Sequence, residues 1–480
     1  MSYHIAIDIG ASSGRLMLTI INQDKKLDMK EIHRFSNQFK KIDDFERWDI
    51  DYLFNEIIIG LGKVKDMGVM ECTLGIDTWA VDYCLVDEEG KLLAQPISYR
   101  DDRTKNTMKK VFKNLSKESI YEKTGIQFQN FNTLFQLYEE DKSLIARTNK
   151  ILLIPDYLMY LLTGNMVNET TNLSTTQLLN VNEKQLDKEL LNSIEIKVEQ
   201  FPESVEVGTI IGEIKQELQD KFNLPDCTVI AVGTHDTASA IVGIPATTDG
   251  WAYLSSGTWS LLGIETKESI VTPESFEENY SNEWGAYNTY RFLKNIPGMW
   301  FTQEIARNTG YKYNFTEMAA EAKEVEPFLQ EINLEDERFI NPKNMIKEIQ
   351  DYCIERKLIV PKTIGELTMC IYSNLALAYA REYEQLESLS NQTIETIHIV
   401  GGGSNIELLN QLTADCTNKK IVTGPSEATA LGNIMVQLIT IGYLNNIEEA
   451  RKWLTSQIET KEYLPQGLSL EGEVYGRTKG

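Results

Sequence analysis

The chain has 480 residues, 42% hydrophobic and 25% charged, and its 71 acidic against 47 basic side chains give a formal net charge of −24. That length exceeds one ordinary core and predicts two domains of roughly 200–250 residues. The charge argues against nucleic acid or an anionic membrane as partner, since neutralising phosphates takes clustered Lys and Arg.

No apolar run reaches membrane-spanning length and no basic segment leads into an apolar stretch, so a cytosolic protein is expected. The six cysteines form no C-x-x-C and the four histidines are scattered, which argues against zinc. Any metal should be a hard cation held by oxygen, magnesium before others.

The first segment, HIAIDIGASSGRLMLTI (4–20), alternates as a strand with Ile5, Ile7 and Ile9 on one face and His4, Ala6 and Asp8 on the other. A buried unpaired carboxylate is costly, so Asp8 requires a compensating group. The Gly10-Ala11-Ser12-Ser13-Gly14 turn and Arg15 suit a phosphate, and a phosphate beside a carboxylate generally needs a bridging cation. The same turn can equally be an ordinary tight turn. Neither G-x-x-x-x-G-K-[ST] nor a G-x-G-x-x-G opening a helix occurs here, which leaves a hairpin-type nucleotide site.

Strands are expected near 4–9, 15–22 and 28–34, and CTLGIDTWAVDYCLVDEEGKLL (72–93) reads as a hairpin about Asp87-Glu88-Glu89-Gly90. Within it Trp79, near Asp77 and Asp82, is either core or a sugar-facing ring. Helical spacing follows in NTLFQLYEEDKSLIA (132–146) and DYLMYLLTG (156–164). VIAVGTHDTASAIVG (229–243) runs a strand into a helix from about Thr237. Asp236 there is either the N-cap of that helix or, at a strand's carboxyl end, a base for a substrate hydroxyl in phosphoryl transfer.

Near residue 245 the order restarts: GWAYLSSGTWSLLGIE (250–265) repeats the form of the opening, a Ser-Ser-Gly turn between apolar strands. PKNMIKEIQDYC (342–353) and TIGELTMCIYSNLALAYA (363–380) read as an antiparallel helical hairpin that would make Cys353 and Cys370 spatial neighbours, reduced in the cytosol. TIHIVGGGSN (396–405) then gives a strand and a triple-glycine turn that admits close approach, fitting an adenine, or merely bends the chain. KIVTGPSEATALGNIMVQLI (420–439) gives a strand and a helix with Pro425 at its start.

Taken in order, DIGASSGR, GIDTWAVDYCLVD, SYRDDRT, GIQFQNFNTLFQL, LLIPDYLMYLLTG, GTHDTASA, YLSSGTWSLLG, YRFLKNIPGMW, HIVGGGSN and GPSEATALGN resemble the FGGY carbohydrate kinases. These belong to the actin and hexokinase superfamily of two-lobed ATPases, and the stretches span almost the whole chain. The resemblance implies an α/β, two-lobed actin/hexokinase-like (ribonuclease H-like) fold, each lobe a mixed sheet flanked by helices, with the ligand cleft between lobes. Residues 1–244 would carry the sugar site and first phosphate hairpin, and 245–480 the second phosphate hairpin and the adenosine site.

It further implies ATP and Mg²⁺, with Asp8 near the metal, Ala11, Ser12, Ser13, Gly14 and Arg15 on the phosphates, and Thr258, Gln303 and Gly402 serving the nucleotide. Asp236 would be the catalytic base, with Trp79, Ala80, His235, Thr237 and Asn295 also at the sugar. TWAVDY, YRDDRT, HDTASA and LKNIPGMW together look specific to members acting on L-rhamnulose, so transfer to its 1-hydroxyl in L-rhamnose breakdown is the expected activity. A kinase of another ketose (L-fuculose, xylulose) and a non-catalytic ATP-binding sugar sensor are the alternatives. One position departs: the family's Thr-Trp-Gly is Thr78-Trp79-Ala80 here, and the added methyl bears on the preferred ketose. The oligomeric state is left open, a monomer being slightly favoured.

Overall fold

The computed structural model describes residues 1–467. Its first sheet is built from β1 (Ser2–Ile9), β2 (Ser13–Ile21), β3 (Leu27–Ser36), β4 (Glu71–Thr78), β5 (Ile210–Glu213) and β6 (Asp226–Ile230), in the order β5-β6-β4-β1-β2-β3. β1 pairs antiparallel with β2 and parallel with β4, and β4 pairs parallel with β6. Helix α1 (Ile50–Asp66) starts at Asp49, whose side chain accepts the Tyr52 N–H, and buries Leu53, Ile57 and Leu61. Those residues join Ile5, Ile7, Ile9, Leu16 and Leu74 in one core. The isoleucine face of β1 is thus dry, as its alternation requires.

Helix α2 (Asp236–Val242) follows β6. The chain then forms β7 (Trp251–Ser256), β8 (Trp259–Thr266), β9 (Ser281–Trp284), β10 (Tyr290–Pro297), α3 (Trp300–Asn308), α4 (Phe315–Ala322), α5 (Met345–Glu355), α6 (Ile364–Ser390), β11 (Thr396–Val400), β12 (Lys420–Thr423), α7 (Ala428–Thr440) and β13 (Lys461–Tyr463). The second sheet contains the run β10-β8-β7-β11-β12-β13. Its hairpin β7/β8 is antiparallel, and β7, β11 and β12 run parallel. This is the order of the first sheet over again, so the echo between the two Ser-Ser-Gly turns extends to topology.

Two compact units result. The first takes Met1–Thr247, Glu265–Leu293 and Glu427–Ile458, and the second takes Thr248–Ile264, Lys294–Ser426 and the segment beginning at Glu459. After residue 247 the chain returns to the first unit twice, at Glu265–Leu293 and at Glu427–Ile458. The reason is visible in α7, which covers the second face of the first sheet: Ala430, Ile434 and Met435 share a core with Ala6, Met17, Val232 and Val242.

Some local expectations change. The Asp87 turn forms, with its Oδ1 accepting the N–H groups of Glu89 and Lys91, but only a Val86–Leu92 bridge follows. Residues 83–86 pair instead with Lys150–Leu153, since the returning arm runs into Pro96 within a few residues. The helical stretch 132–146 is two helices, Thr133–Tyr138 and Lys142–Arg147, because Asp141 caps the second. Helix α7 starts at Ala428, after Pro425.

α5 packs on α3, and α6 on α4, so the expected helical hairpin is not the main packing here. Cys353 and Cys370 are buried and unbonded. Burial, with Cys353 nearby, pushes the Cys370 thiol up to about 12.

Candidate functional site

On the first unit, register places Arg15 opposite Asp8 across the β1/β2 hairpin. Arg15 Nε and Nη2 donate to Asp8 Oδ2 at 3.1 and 2.9 Å, and Nη1 pairs with Glu427. The compensation that Asp8 requires thus comes from its cross-strand neighbour, and Arg15 is taken up by two carboxylates rather than projecting from the turn. The turn itself is braced by Asn37, whose Nδ2 donates to Gly10 O and whose N–H donates to Ser12 O, each at 2.9 Å. Gly14 leaves room for Phe35: a Cβ there would lie 2.2 Å from the tip of the ring, which would have to shift. Ala11 and Ser13 are half-buried and Ser12 is exposed.

Asp77 stands beside Asp8 in the β1/β4 register and is fully buried. Asn433 of α7 donates to its Oδ2 at 2.6 Å, while its Oδ1 has no hydrogen-bond partner. Asn433 is held in turn by Gln437 (2.7 Å), which Thr73 and then His4 continue as a buried polar chain. Gly75 makes room for it, since a Cβ there would meet Asn433 Oδ1 at 2.5 Å. Burial, then the nearby Asp8, drives the Asp77 carboxyl well above the usual aspartate range.

Asp236 is the first residue of α2, and the N-cap position belongs to His235. The capping alternative for Asp236 therefore fails. Its side chain is a third exposed and accepts from Thr237 Oγ1 at 3.2 Å, and His235 Nε2 lies 3.5 Å from its Oδ1. Enclosure by protein raises its pKa; the adjacent His235 opposes that, and Asp8 adds to it.

The strand ends that carry these residues are tied together by the Thr78 N–H donating to Thr234 O at 2.9 Å. Buried Glu169 accepts from both the N–H and the hydroxyl of Thr234, at 3.0 and 2.8 Å. Trp79 is only 6% exposed, its ring lies 4.4 Å from that of Trp48, and its N–H donates to Asp82. Asp82 also accepts from Trp48, Gln136 and the Tyr99 N–H. The indole is thus packed on Trp48 and Asp82, next in sequence to half-buried Ala80.

On the second unit, Thr258 Oγ1 donates to Gln303 Oε1 at 3.2 Å. The turn before Trp259 is held by 298–300: the Gly298 and Trp300 N–H groups donate to Thr258 O, and that of Met299 to Gly257 O. A hollow of about 460 Å³ opens here, lined by Gly257, Gln303, Phe315, Ala319, Gly402 and Ile406 among others. Of the three glycines, Gly401 and Gly403 pack against Ser256, while Gly402 faces open space. This hollow is mostly apolar with a few polar groups, as a flat heterocycle would need. Asn295 lies near the end of β10, half-buried.

Asp77, Asn433, Glu427, Glu169, Glu283 and Arg291 were not singled out from sequence. Only Asp77 carried a local signal, a second carboxylate in an apolar strand. Among the described residues no three His, Cys, Asp or Glu side chains are grouped to hold a metal, and no helix is long and apolar enough to cross a membrane. A hard cation would draw on the Asp8 and Asp77 oxygens, and the unpartnered Asp77 Oδ1 fits that use.

Two family models match: the FGGY family of carbohydrate kinases, N-terminal domain, over residues 3–243, and its C-terminal domain over 252–441. A rhamnulokinase of Lactiplantibacillus plantarum is 53% identical over 97% of this chain and 95% of its own. A rhamnulokinase of Bacillus subtilis is 51% identical over 97% and 96%. Among solved structures, Plasmodium falciparum glycerol kinase with ADP superposes with a TM-score of 0.79 at 15% identity, covering 97% of this chain and 94% of that one. A ligand-bound xylulose kinase from Lactobacillus acidophilus gives 0.78 at 18%, with the same coverage.

Proposed function

The chain belongs to the FGGY family of carbohydrate kinases, and from that premise we propose that it transfers the γ-phosphoryl group of ATP to the 1-hydroxyl of L-rhamnulose in L-rhamnose breakdown. The observation that carries the reading is Asp236: a carboxylate at the first position of a helix, not spent on capping, partly open to solvent and raised in pKa. A base of this kind accepts the hydroxyl proton as the oxygen attacks phosphorus. His235 and Thr237 flank it at the sugar, where Trp79 and Ala80 also belong.

The Ala11–Gly14 backbone serves the phosphates, and Thr258, Gln303 and the hollow beside Gly402 take the nucleoside. Magnesium, when bound with the nucleotide, supplies charge neutralisation of the phosphates, and Asp8 is the residue that would hold it, with Asp77 alongside. Arg15 keeps Asp8 oriented.

ADP release by purified protein with ATP and Mg²⁺ tests this on a panel of L-rhamnulose, L-fuculose and xylulose. L-rhamnulose should give the highest kcat/KM. Asp236→Asn should lower kcat by roughly 10²–10⁴-fold with sugar binding retained. Faster turnover of another ketose would reassign the substrate, and near-normal turnover by the variant would remove Asp236 from the chemistry.

A further inference from the structure

The β9/β10 hairpin sets Glu283 directly opposite Arg291 in register. Both are buried, Arg291 with 1% of its side chain exposed and Glu283 with 8%. Arg291 Nη2 is 2.9 Å from Glu283 Oε2, and its Nε donates to Trp284 O at 3.2 Å. Burial works against ionisation of Glu283, yet Arg291 beside it holds its carboxyl below the usual range. The third member of the cluster is His235 itself: Arg291 Nη2 lies 3.2 Å from its Nδ1 in aligned hydrogen-bond geometry, and Glu283 Oε2 lies 3.3 Å from the same nitrogen.

A guanidinium has only donors. In that bond Nδ1 must therefore be the acceptor, which leaves the ring proton on Nε2. Nε2 is the nitrogen turned toward Asp236, and at 3.5 Å it is too far from Oδ1 for a strong hydrogen bond. Its proton is left available to a third atom.

We propose that Arg291, with Glu283 balancing its buried charge, is a positioning residue that fixes His235 as an Nε2–H donor toward the sugar. His235 then cannot serve as a second base beside Asp236. It instead selects an acceptor oxygen next to the reacting hydroxyl, and in a ketose the neighbouring carbonyl oxygen is one. The assignment rests on the kinase reading only for the identity of that oxygen. The tautomer follows from the buried cluster alone.

Long-range ¹H–¹⁵N correlation spectra of the ligand-free protein read the tautomer directly. The chain has four histidines, and His235→Asn identifies the signal. The Nε2–H tautomer is expected in the wild type. Arg291→Met should move the proton to Nδ1, against Glu283, or protonate the ring; it should also raise KM for the ketose roughly 10–100-fold while kcat falls less than about tenfold. Arg291→Lys keeps a donor and should recover part of KM.

A wild-type His235 protonated on Nδ1 overturns the proposal, and that measurement stands even if Arg291→Met does not fold. An unchanged tautomer in a folded Arg291→Met variant also overturns it. If the tautomer is as expected and L-rhamnulose is not turned over, the substrate reading alone has failed.

Discussion

Helices α2 and α7 meet through glycine. A Cβ on Gly432 would lie 1.8 Å from Ser239 O and 2.7 Å from Gly243 N, and one on Gly243 would lie 2.1 Å from Ala428 O. Each obstacle is backbone, so no side chain can swing aside. Ordinary carbon–oxygen contact begins near 3.4 Å, so Gly432→Ala must part the helices by up to about 1.5 Å at that point, a form of overpacking that costs about 1–3 kcal/mol. Alanine returns up to about 1 kcal/mol of helix preference. A net loss near 1 kcal/mol lowers Tm by about 2–4 °C at 2–4 °C per kcal/mol.

Asp236 begins α2 and Asn433 follows Gly432 on α7, so the shift reaches the candidate base and the Asp77 carboxylate together. A displacement of about 1 Å can cost about 10²-fold in rate. Gly62→Ala is the control: it lies within α1 with nothing inside 4 Å of an added Cβ, and should hold or raise Tm. Differential scanning calorimetry and coupled ADP-release assays on both variants decide the matter. A Gly432→Ala protein that melts with the wild type and turns over normally refutes the close approach and its coupling to the site.

Asp77→Asn should raise Tm in metal-free buffer, and more at pH 7 than at pH 4: the folded-state pKa of Asp77 is raised, so ionising it costs stability from the unfolded value near 3.9 upward, by about 1.4 kcal/mol per pH unit until the folded value is passed. Equal effects at the two pH values would contradict that burial. Arg103→Met leaves Glu140 buried without its cation and should cost about 3–5 kcal/mol in denaturant unfolding; adding Glu140→Gln should recover much of it, and no recovery would rule out an uncompensated charge as the cause. With Asp236 as the base, the acid limb of kcat/KM against pH should lie above the ordinary aspartate range, because a base acts ionised and the pKa of Asp236 is raised; a limb at or below that range would contradict that role or the enclosure of Asp236.

Local chemistry was legible where it is written in neighbouring residues. The two faces of His4–Ile9 appear as read, and the residues after Ile9 do make a tight turn, closed by the Gly10 N–H on Ser13 O. The second Ser-Ser-Gly hairpin also appears as read. What sequence could not supply is pairing over long separations. Asn433 reaches Asp77 across 356 positions, and Arg451 reaches Glu265 across 186. Nothing in GPSEATALGN says that its second glycine faces Ser239, because a helix reports which face is apolar but not which helix it meets. Asp236 as N-cap was the natural local reading for the same reason. The helix starts one residue earlier than a cap at Asp236 would need, since His235 is held in extended backbone by its bridge to Thr78.

The buried carboxylates of the first unit fall into two groups, and the division bears on chemistry. Glu140 and Glu283 are each set against an arginine, and their charges are balanced within the protein. Asp77, Asp82 and Glu169 are held by amides, indoles, hydroxyls and backbone N–H groups, which orient a carboxylate without cancelling its charge. Asp77 also feels both Asp8 and Asp236, and the cation among them, Arg15, is shared with Glu427. Burial raises the pKa of Asp77, Asp82 and Glu169 alike, and of these Asp77 stands beside Asp8 in register. Under the kinase reading, a polyphosphate arriving with a divalent cation would suit this arrangement, the cation lying against Asp8 and Asp77, and Asp236, at the start of α2, remaining to take a proton.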